Sequence, residues 1–377
     1  MKRNNKKGFT IVELTIVIAV IAILAAVLIP TFSSVVDKAN QSADVQLIRQ
    51  ANVVLQAATA DGSSLSKDAA IKELENNSIT LGEPSQSDHA FLYIEEENRY
   101  VIYNMKTEKI TFPEDLAQNL STWKPDSYAR IGTTYYATLE KAVNGAKDGE
   151  TIVVLKDIET DAQLFVDKNI TIDFGGHSYI MKNFKYQDSD NYPGGIVIGK
   201  NMKVQNGTFK NGTIKLVGNA STYGYALHAI NCQKFTAVGI TLDLTAAGTM
   251  RGGLGISSNP TVIVEDCTFE AVTKQGNKKC AIYLDNWAGG SFEEGKYLNL
   301  IVKGNSAIKG ELKVNCNSNS YVKTVLENSV DCSSTSVAFE CQPKAWKIKT
   351  PDGTKLDGMK NFSDTVDDEG YFTYPKS

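Results

Sequence analysis

The chain has 377 residues, of which 42% are hydrophobic and 22% charged, and its formal net charge is −4. At about 150 residues per domain this length predicts at least two domains, and the composition excludes a mostly disordered or collagen-like chain. Only five of the 39 basic residues are arginines, which argues against a nucleic-acid-binding protein, because such proteins usually present a basic, arginine-containing face.

The first 30 residues combine a basic leader with a long apolar segment. Residues 1–8, MKRNNKKG, carry four positive charges and no acid, and residues 9–30 are apolar except for two threonines and Glu13. Because a helix needs about 20 apolar residues to cross the hydrocarbon core, we predict a single membrane span over residues 9–30. The basic flank predicts that the N-terminus lies inside the cell. A secretory signal peptide fits less well, since Ala25 and Ala26 lie within the apolar run rather than after it.

Glu13 places a carboxylate inside this apolar segment, where an ionised and unpaired group is costly. Either it lies at the membrane edge, or it pairs with an α-amine that cleavage between Gly8 and Phe9 would create in a neighbouring helix. The sequence KKGFTIVEL closely resembles the class III signal of type IV prepilins and pseudopilins, a basic leader ending in glycine before a phenylalanine and a nearby glutamate. The resemblance implies cleavage by a prepilin peptidase after Gly8, N-methylation of Phe9 and a role for Glu13 in filament assembly.

Residues 31–124 are expected to continue the helix and then to form a small antiparallel sheet. The apolar stripe of the helix comprises Val35, Ala39, Ala43, Leu47, Ala51, Leu55 and Ala58. Ser66 is predicted to cap a short second helix. Residues 90–114 alternate in three short runs, which predicts a three-stranded meander. A long helix followed by a small antiparallel sheet is the layout of a pilin stalk and head.

A second domain is predicted from residue 126 onward. Residues 139–146 form a short amphipathic pattern, and the apolar strand 152–155 follows. This helix and strand resemble the capping helix and first strand of right-handed parallel β-helix domains of the pectate-lyase type. Five weakly similar segments then recur, at spacings of 32, 33, 27 and 38 residues between the positions Ile170, Met202, Phe235, Val262 and Leu300. Irregular periods near 30 without helices favour a three-sided solenoid, and a β-sandwich is the alternative.

The sequence therefore predicts an α+β pilin-like part, made of a long N-terminal helix and a small antiparallel sheet, followed by an all-β right-handed parallel β-helix. The helix of residues 139–146 would cover the first sheet edge of the solenoid. The predicted boundaries are 1–8 for the leader, 9–30 for the membrane half of the long helix, 31–124 for the stalk and head, 126–345 for the β-helix and 346–377 for a C-terminal tail.

The second domain contains little that predicts chemistry. Arg251 is its only arginine besides Arg130, and the acids nearest to it in sequence, Asp243 and Glu265, do not form the pattern of a polysaccharide lyase. The three histidines are isolated and no cysteine pair has CxxC spacing, so we predict no metal site, no cofactor and no catalytic residue. Glycoside hydrolysis needs two carboxylates a few ångströms apart, and a pair on stacked coils is not visible in a sequence.

All six cysteines lie in the second domain. An even number of cysteines in an exported domain permits disulfides, whose pairing a sequence does not reveal. Cys316, Cys332 and Cys341 are the candidates, because the Ser/Asn-rich chain around them has little hydrophobic core of its own. The alternative is that some of the cysteines fill the interior of the coils as small apolar side chains.

Aromatic residues in two glycine-containing loops are candidates for ligand binding. Tyr186 and Tyr192 lie in a long insertion between the first two predicted coils, and Trp287 lies in the turn DNWAGG. Aromatic rings on extended loops stack on sugars or contact a protein partner. The alternative is that these rings fix their own loops to the wall of the solenoid.

These features predict a minor or tip subunit of a type IV pilus-like filament that displays a β-helix adhesion domain and is not an enzyme. The alternatives are a pseudopilin of a type II secretion or DNA-uptake system and a membrane-tethered polysaccharide lyase or hydrolase. The expected partners are other pilin subunits, a prepilin peptidase and methyltransferase, membrane lipid, and a glycan or surface ligand. Nucleic acid is expected only in a DNA-uptake system. The expected location is the membrane, with the N-terminus inside, and after processing the cell surface or pilus.

Overall fold

The computed structural model describes residues 11–183, 194–199, 204–218, 224–230, 232–248, 250–257, 261–272, 279–286, 297–316 and 318–376. The chain divides after Pro125 into two compact units. The first unit consists of helices and one small sheet, and the second consists almost entirely of strands.

The first unit contains a long helix, two short helices and an antiparallel sheet. Its elements are α1 (Ile11–Ala58), α2 (Lys67–Asn76), β1 (His89–Ile94), β2 (Arg99–Asn104), β3 (Lys109–Phe112) and α3 (Glu114–Asn119). β2 is the central strand and pairs antiparallel with β1 and with β3. Just before β2, Asn98 adopts a left-handed backbone with φ 49°, a conformation in which asparagine is enriched. The predicted long helix and antiparallel sheet are confirmed.

The two halves of α1 have different surroundings. The large apolar side chains between residues 11 and 24 are exposed, whereas Ile48, Ala51 and Leu55 are fully buried. These three pack with side chains of α2 and β2 into the core of the first unit. No helix of the described residues combines the length and the apolar character that crossing a membrane requires, so the structure does not confirm the span predicted at residues 9–30.

The buried face of α1 follows a spacing of three and four residues rather than four alone. It consists of Ile48, Ala51, Asn52 and Leu55, and the other members of the predicted stripe are exposed or half-buried: Val35, Ala39, Ala43, Leu47 and Ala58. A helix turns by about 100° per residue, so positions spaced only by four drift around its axis by about 40° at each step. The predicted stripe is therefore wrong outside residues 51–55.

The second unit is a solenoid of strands with one short helix. Its elements are β4 (Ala129–Ile131), β5 (Thr134–Tyr136), α4 (Leu139–Gly145), β6 (Thr151–Val154), β7 (Ile158–Thr160), β8 (Leu164–Val166), β9 (Thr171–Asp173), β10 (Ser178–Lys182), β11 (Gly194–Ile198), β12 (Val204–Val217), β13 (Tyr225–Ala229), β14 (Cys232–Asp243), β15 (Gly252–Ser257), β16 (Thr261–Glu265), β17 (Thr268–Glu270), β18 (Cys280–Asn286), β19 (Leu298–Lys303), β20 (Ala307–Cys316), β21 (Tyr321–Leu326), β22 (Thr335–Cys341), β23 (Ala345–Lys349) and β24 (Phe372–Tyr374).

The strands of the solenoid stack in parallel on three faces. The first face carries β6, β9, the first halves of β12 and β14, β16, β19, β21 and β23. The second face carries β7, β10, the second halves of β12 and β14, β17 and the start of β20. The third face carries β8, β11, β13, β15, β18, the rest of β20 and β22. The predicted parallel β-helix is confirmed, and the β-sandwich alternative is wrong.

The register of the first face agrees with the predicted repeat at three of its positions. Phe235 lies opposite Val262, and Val262 lies opposite Leu300. Met202 lies outside the described residues, and the residue opposite Phe235 on the preceding coil is Gly207. The predicted repeat is therefore out of register at this coil. The backbone N–H groups of Gln205 and Asn206, just before Gly207, donate to Asn169 Oδ1 at 2.6 and 3.1 Å.

One corner of the solenoid, between the first and second faces, is formed by a column of left-handed residues. Asn211, Gly239, Asp266 and Gly304 follow the first-face strands in successive coils, with φ between 53° and 64°. Only glycine, asparagine and aspartate adopt this conformation readily. The column explains why an Asn/Gly turn recurs in the sequence at this point of each coil.

Both ends of the solenoid are covered by the chain itself. At its start β4 pairs antiparallel with β6, and Thr138 Oγ1 caps α4 by accepting from the Lys141 N–H at 3.1 Å. The face of α4 predicted to pack on the first coil is buried: Leu139, Ala142, Val143 and Ala146. At the other end β24 pairs antiparallel with β23, so residues 346–377, expected as a tail, contribute to two strands. Covered edges do not pair with a further strand.

Candidate functional site

Of the three N-terminal residues predicted to direct processing and assembly, only Glu13 lies in the described part of the chain. Gly8 and Phe9 precede it, so their roles stay predictions. Glu13 is exposed in the first turn of α1, where the helix dipole favours a carboxylate. It is the only charged residue between positions 11 and 36, and its neighbours along the helix are exposed apolar side chains: Ile11, Val12, Leu14, Ile16 and Val17.

The predicted ligand-binding aromatics Tyr186, Tyr192 and Trp287 lie outside the described residues. Their assignment therefore stays a prediction. A ligand-binding role for the second unit has to be judged from the described strands, whose side chains form a different cluster.

The three candidate cysteines are thiols in the structure, which contains no disulfide among its six cysteines. Cys341 lies opposite Asn315, the neighbour of Cys316, on the stacked strands β22 and β20. Cys332 precedes β22, which separates it from Cys341 by about 20 Å at ~3.3 Å per residue. Because a disulfide needs Cα atoms within about 7 Å, Cys332 is too far from Cys341 to pair with it in this structure, and the assignment of the three cysteines to disulfides stays a prediction.

The outward side chains of the first two faces form ladders of ion pairs between stacked strands. Each pair joins residues that lie directly opposite each other in the register. The pairs are Lys303–Glu265 at 2.8 Å, Lys309–Glu270 at 2.6 Å and Lys215–Asp243 at 2.9 Å. These faces alternate between buried and more exposed positions, whereas every residue of β11 and β13 on the third face is buried. The outer surface of the third face is therefore a second packing layer.

This layer is made of aromatic rings that lie over glycines. A side-chain carbon added at Gly255 would lie 2.6 Å from the Tyr225 ring, and one added at Gly252 would lie 3.1 Å from Cβ of Tyr283. The Tyr225 ring packs against His228 at 4.7 Å and against Tyr283 at 5.6 Å between centroids. Tyr225 and Tyr283 belong to a buried cluster separate from the main core. At position 255 only glycine leaves room for the Tyr225 ring.

Arg251 joins this aromatic layer to two carboxylates. Its guanidinium carbon is 4.8 Å from the centroid of the Tyr283 ring, and its two terminal nitrogens are 3.6 Å from Asp285 and 3.6 Å from Glu340. Each carboxylate also accepts a tyrosine hydroxyl, since Tyr225 donates to Asp285 at 2.9 Å and Tyr283 donates to Glu340 at 2.5 Å. Lys313 and Asn315 complete the group that we call the outer cluster: Tyr225, His228, Arg251, Tyr283, Asp285, Lys313, Asn315 and Glu340.

The charges of the outer cluster neutralise one another. The side chains of Arg251 and Asp285 are 20% and 15% exposed, and that of Glu340 is 45% exposed. Lys313 adds a second cation, 3.4 Å from Glu340, so two cations face two anions. Although burial raises the pKa of Glu340, the hydrogen bond from Tyr283 and the charges of Arg251 and Lys313 hold it below its ordinary value. Glu340 is therefore a carboxylate at neutral pH.

Two buried polar atoms of the outer cluster have no hydrogen-bond partner among the described residues: His228 Nδ1 and Asn315 Oδ1. His228 is 2% exposed, and its Nε2 lies 2.9 Å from Ser257 Oγ. Burial, with a smaller contribution from Arg251, lowers the pKa of His228 to about 3, so the ring is neutral. Asn315 is 4% exposed, and its Nδ2 lies 3.5 Å from Asp285 Oδ1. Buried polar atoms nearly always have a partner, so these two atoms are exceptions among the buried side chains that the structure describes.

Sequence reasoning did not assemble the outer cluster. It compared Arg251 with Asp243 and Glu265, and the structure pairs those acids with lysines of the ion-pair ladders. The actual partners, Asp285 and Glu340, follow Arg251 by 34 and 89 residues. The one local feature of the sequence that indicates this cluster is the glycine-rich segment GGLGIS, which precedes the tyrosine-containing strand AIYLD. Among the described residues, no group of three or more His, Cys, Asp or Glu side chains is placed to hold a metal ion.

Comparison with known proteins concerns the N-terminal segment alone. The family model of the prokaryotic N-terminal methylation motif matches residues 3–29. Over 45 residues, 12% of this chain and 32% of the relative, the chain is 51% identical to Prepilin peptidase-dependent protein A of Clostridium perfringens. Over 39 residues, 10% of this chain and 30% of the relative, it is 59% identical to Type IV wide pilus major component PilA4 of Thermus thermophilus.

The chain thus spans about a third of the length of these curated relatives, and no solved structure matches it. The matched segment contains the basic leader, the Gly8–Phe9 junction, Glu13 and the apolar start of α1. The chain therefore carries the N-terminal methylation motif of type IV prepilins, followed by a small helix-and-sheet unit and a parallel β-solenoid.

Proposed function

We propose that the chain is a minor or tip subunit of a type IV pilus-like filament, cleaved after Gly8, methylated at Phe9 and held in the membrane before assembly. The match of residues 3–29 to the N-terminal methylation motif carries this proposal. The two similar proteins, one named for its dependence on prepilin peptidase and one named as a major pilus component, are consistent with the same processing. The partners are then other pilin subunits and a prepilin peptidase and methyltransferase.

The exposed apolar half of α1 supports this assembly. Its large side chains between residues 11 and 24 are 47% to 84% exposed, and such a surface is unfavourable in water by about 25 cal/mol per Å². Membrane lipid before assembly, and neighbouring helices afterwards, would cover it. In that surrounding the Glu13 carboxylate requires a counter-charge, and the new Phe9 amine of an adjacent subunit supplies one.

Processing and assembly are tested by mass spectrometry and by one pair of variants. The mature chain should begin with a methylated Phe9, and an intact Met1 would contradict the proposal. Glu13→Ala should stay in the membrane fraction and be absent from sheared filaments. Asp37→Ala, which removes an exposed acid from the same helix, should enter filaments normally. Equal incorporation of both variants would mean that Glu13 has no role in assembly.

The size of the solenoid supports a minor or tip position. Seven described strands stack on the third face, and the six spacings between them give a length of about 29 Å at ~4.8 Å per spacing. Such a unit on every subunit would crowd a lattice held together by side-by-side helices, and the tip has no subunits above it. Quantitative proteomics of purified filaments should find a few copies beside a smaller major pilin. A dominant share would exclude the tip position, and recovery with a secretion complex would favour the pseudopilin alternative.

For the solenoid we propose ligand binding rather than catalysis. A glycosidase needs one carboxyl group that is protonated at neutral pH, with a raised pKa, whereas the pKa of Glu340 is lowered. Both carboxylates beside Arg251 also accept tyrosine hydroxyls. An assay for reducing ends and unsaturated products on plant and bacterial polysaccharides should detect no turnover by the purified chain. Turnover that is lost in Glu340→Gln would overturn this proposal.

A further inference from the structure

We propose that a pocket at the start of the solenoid, which we call the edge pocket, receives a lysine side chain of a partner protein. This inference rests on the proposed binding role of the solenoid and names the chemistry of its ligand. The edge pocket has a volume of about 300 Å³ and is lined by the first turn of α4 and by strands β7 and β8. The lining residues that matter here are Tyr128, Leu139, Glu140, Ile158, Leu164 and Tyr179.

The floor of the edge pocket is apolar. Leu139, Ile158, Leu164 and Tyr179 line it and are otherwise buried. Covering such a floor with an aliphatic chain is favourable, because apolar surface is removed from water. The volume lies at the lower end of the range of ligand pockets, which is about 300–1,000 Å³. The edge pocket therefore suits one side chain rather than an oligosaccharide.

Glu140 gives the edge pocket a net negative charge. Its side chain is exposed in the first turn of α4 and forms no ion pair with the residues that the structure describes. The other acid of the lining, Glu159, is paired with Lys182 at 2.6 Å. A ligand with one positive charge therefore meets one carboxylate that has no counter-charge, whereas an anionic ligand is repelled.

Two tyrosines of the lining add to the attraction for a cation. Burial, and to a smaller extent the charge of Glu140, raises the pKa of the Tyr179 hydroxyl, so Glu140 acts on the space beside this ring. At Tyr128 the structure already places an ammonium group on the ring, since Lys156 Nζ lies 3.9 Å from its centroid while it pairs with Asp126. Aromatic faces attract ammonium groups, and the edge pocket combines such rings with an unpaired carboxylate.

These properties match a lysine side chain. Lysine carries a compact ammonium group at the end of a flexible aliphatic stem, and long charged side chains place the stem on apolar surface while the charge stays in water. In the edge pocket the stem would cover the apolar floor, and the ammonium group would pair with Glu140 at the exposed rim. Because lysines are mostly exposed on protein surfaces, a protein partner presents such a group.

Surface plasmon resonance tests this inference with the full chain in a non-ionic detergent and two immobilised Gly/Ser peptides. One peptide contains a single lysine, and the other contains N-acetyl-lysine, which keeps the stem and loses the charge. The lysine peptide should bind more tightly. Glu140→Gln should weaken its binding about three- to fivefold, as expected for an ion pair that solvent partly screens. Ala162→Trp, at an exposed residue of the lining, should also weaken binding by filling the pocket without changing its charge.

Asp161→Asn is the matched control, because Asp161 is an exposed acid beside Ala162 in the chain but does not line the edge pocket. It should bind like the unmodified chain. Three results would overturn the inference: equal binding of the two peptides, unchanged binding by both Glu140→Gln and Ala162→Trp, or an equal loss in Asp161→Asn and Glu140→Gln. Filament incorporation of the same variants is measured separately. A variant that enters filaments normally but loses lysine binding separates this inference from the proposed role in the filament.

Discussion

Replacing Arg251 by methionine tests how far the outer cluster stabilises the solenoid. Methionine keeps an apolar stem beside the Tyr283 ring but removes the charge located between Asp285 and Glu340. Glu340 keeps Lys313 as a counter-charge at 3.4 Å. Asp285, in contrast, loses the Arg251 charge while its side chain is only 15% exposed. We therefore expect a loss of stability that comes mainly from the Asp285 carboxylate.

The magnitude follows from burial. Removing one partner of a fully buried ion pair costs about 3–5 kcal/mol. Because Arg251 and Asp285 are 20% and 15% exposed, solvent screening reduces the expected cost to about 2–3 kcal/mol. In a unit of this size 1 kcal/mol shifts the unfolding midpoint by about 2–4 °C, so Arg251→Met should lower the midpoint of the solenoid by about 4–12 °C.

Thermal unfolding of the full chain, followed by circular dichroism at pH 7, measures this shift. Lys303→Met is the control, because its ion pair with Glu265 lies on an exposed face, and surface pairs contribute little. The control should unfold close to the unmodified chain. The double variant Arg251→Met/Asp285→Asn should recover part of the loss, since it also removes the charge of the largely buried Asp285 side chain. Equal shifts for Arg251→Met and Lys303→Met, or no recovery in the double variant, would refute the argument from burial.

Two further substitutions probe the two units separately. Phe235→Ala removes a fully buried ring that packs edge-to-face on Phe209 at 5.2 Å, and urea denaturation should show a loss of about 3–5 kcal/mol in the solenoid. Asn52→Ala removes both hydrogen bonds to the Tyr100 backbone, at 2.8 and 2.7 Å. It should destabilise the first unit by about 1–3 kcal/mol through unsatisfied buried backbone groups, with the solenoid transition unchanged.

Features that depend on neighbouring residues were predictable from the sequence. The N-terminal motif is a continuous segment. Helix α4 is indicated by four apolar residues at helical spacing and by Thr138, which caps it. The strands of the meander and the solenoid follow from alternation and turn residues, because side chains alternate with a period of two. The corner turns could be located without knowing how the coils stack, because the residues that form them, such as Asn211 and Gly239, are of types that readily adopt a left-handed backbone.

Features that depend on register between coils were not predictable. The outer cluster joins Tyr225 to Glu340, which are 115 residues apart, and loops of different lengths separate the strands between them. One register error, such as the placement of Met202 where Gly207 lies, changes every neighbour on the stack. In α1 the apolar pattern also misses Asn52, since a buried polar residue that bonds to a strand has no signature in hydrophobic periodicity.

His228 should make the stability of the solenoid depend on pH. Burial and Arg251 lower its pKa from an ordinary 6.5 to about 3 in the folded chain. Above pH 6.5 both states are neutral at this site, and the residue has no effect. As the pH falls below 6.5 the unfolded chain binds a proton that the folded chain does not, so stability falls by up to about 1.4 kcal/mol per pH unit.

The groups that face His228 do not offset this slope. Tyr225 packs against the ring, Ser257 lies at Nε2, and Arg251 adds a repelling charge. Unfolding midpoints measured between pH 6.5 and 5 should fall in the unmodified chain and fall less in His228→Gln. Parallel curves for the two proteins would mean that the folded chain protonates His228 readily.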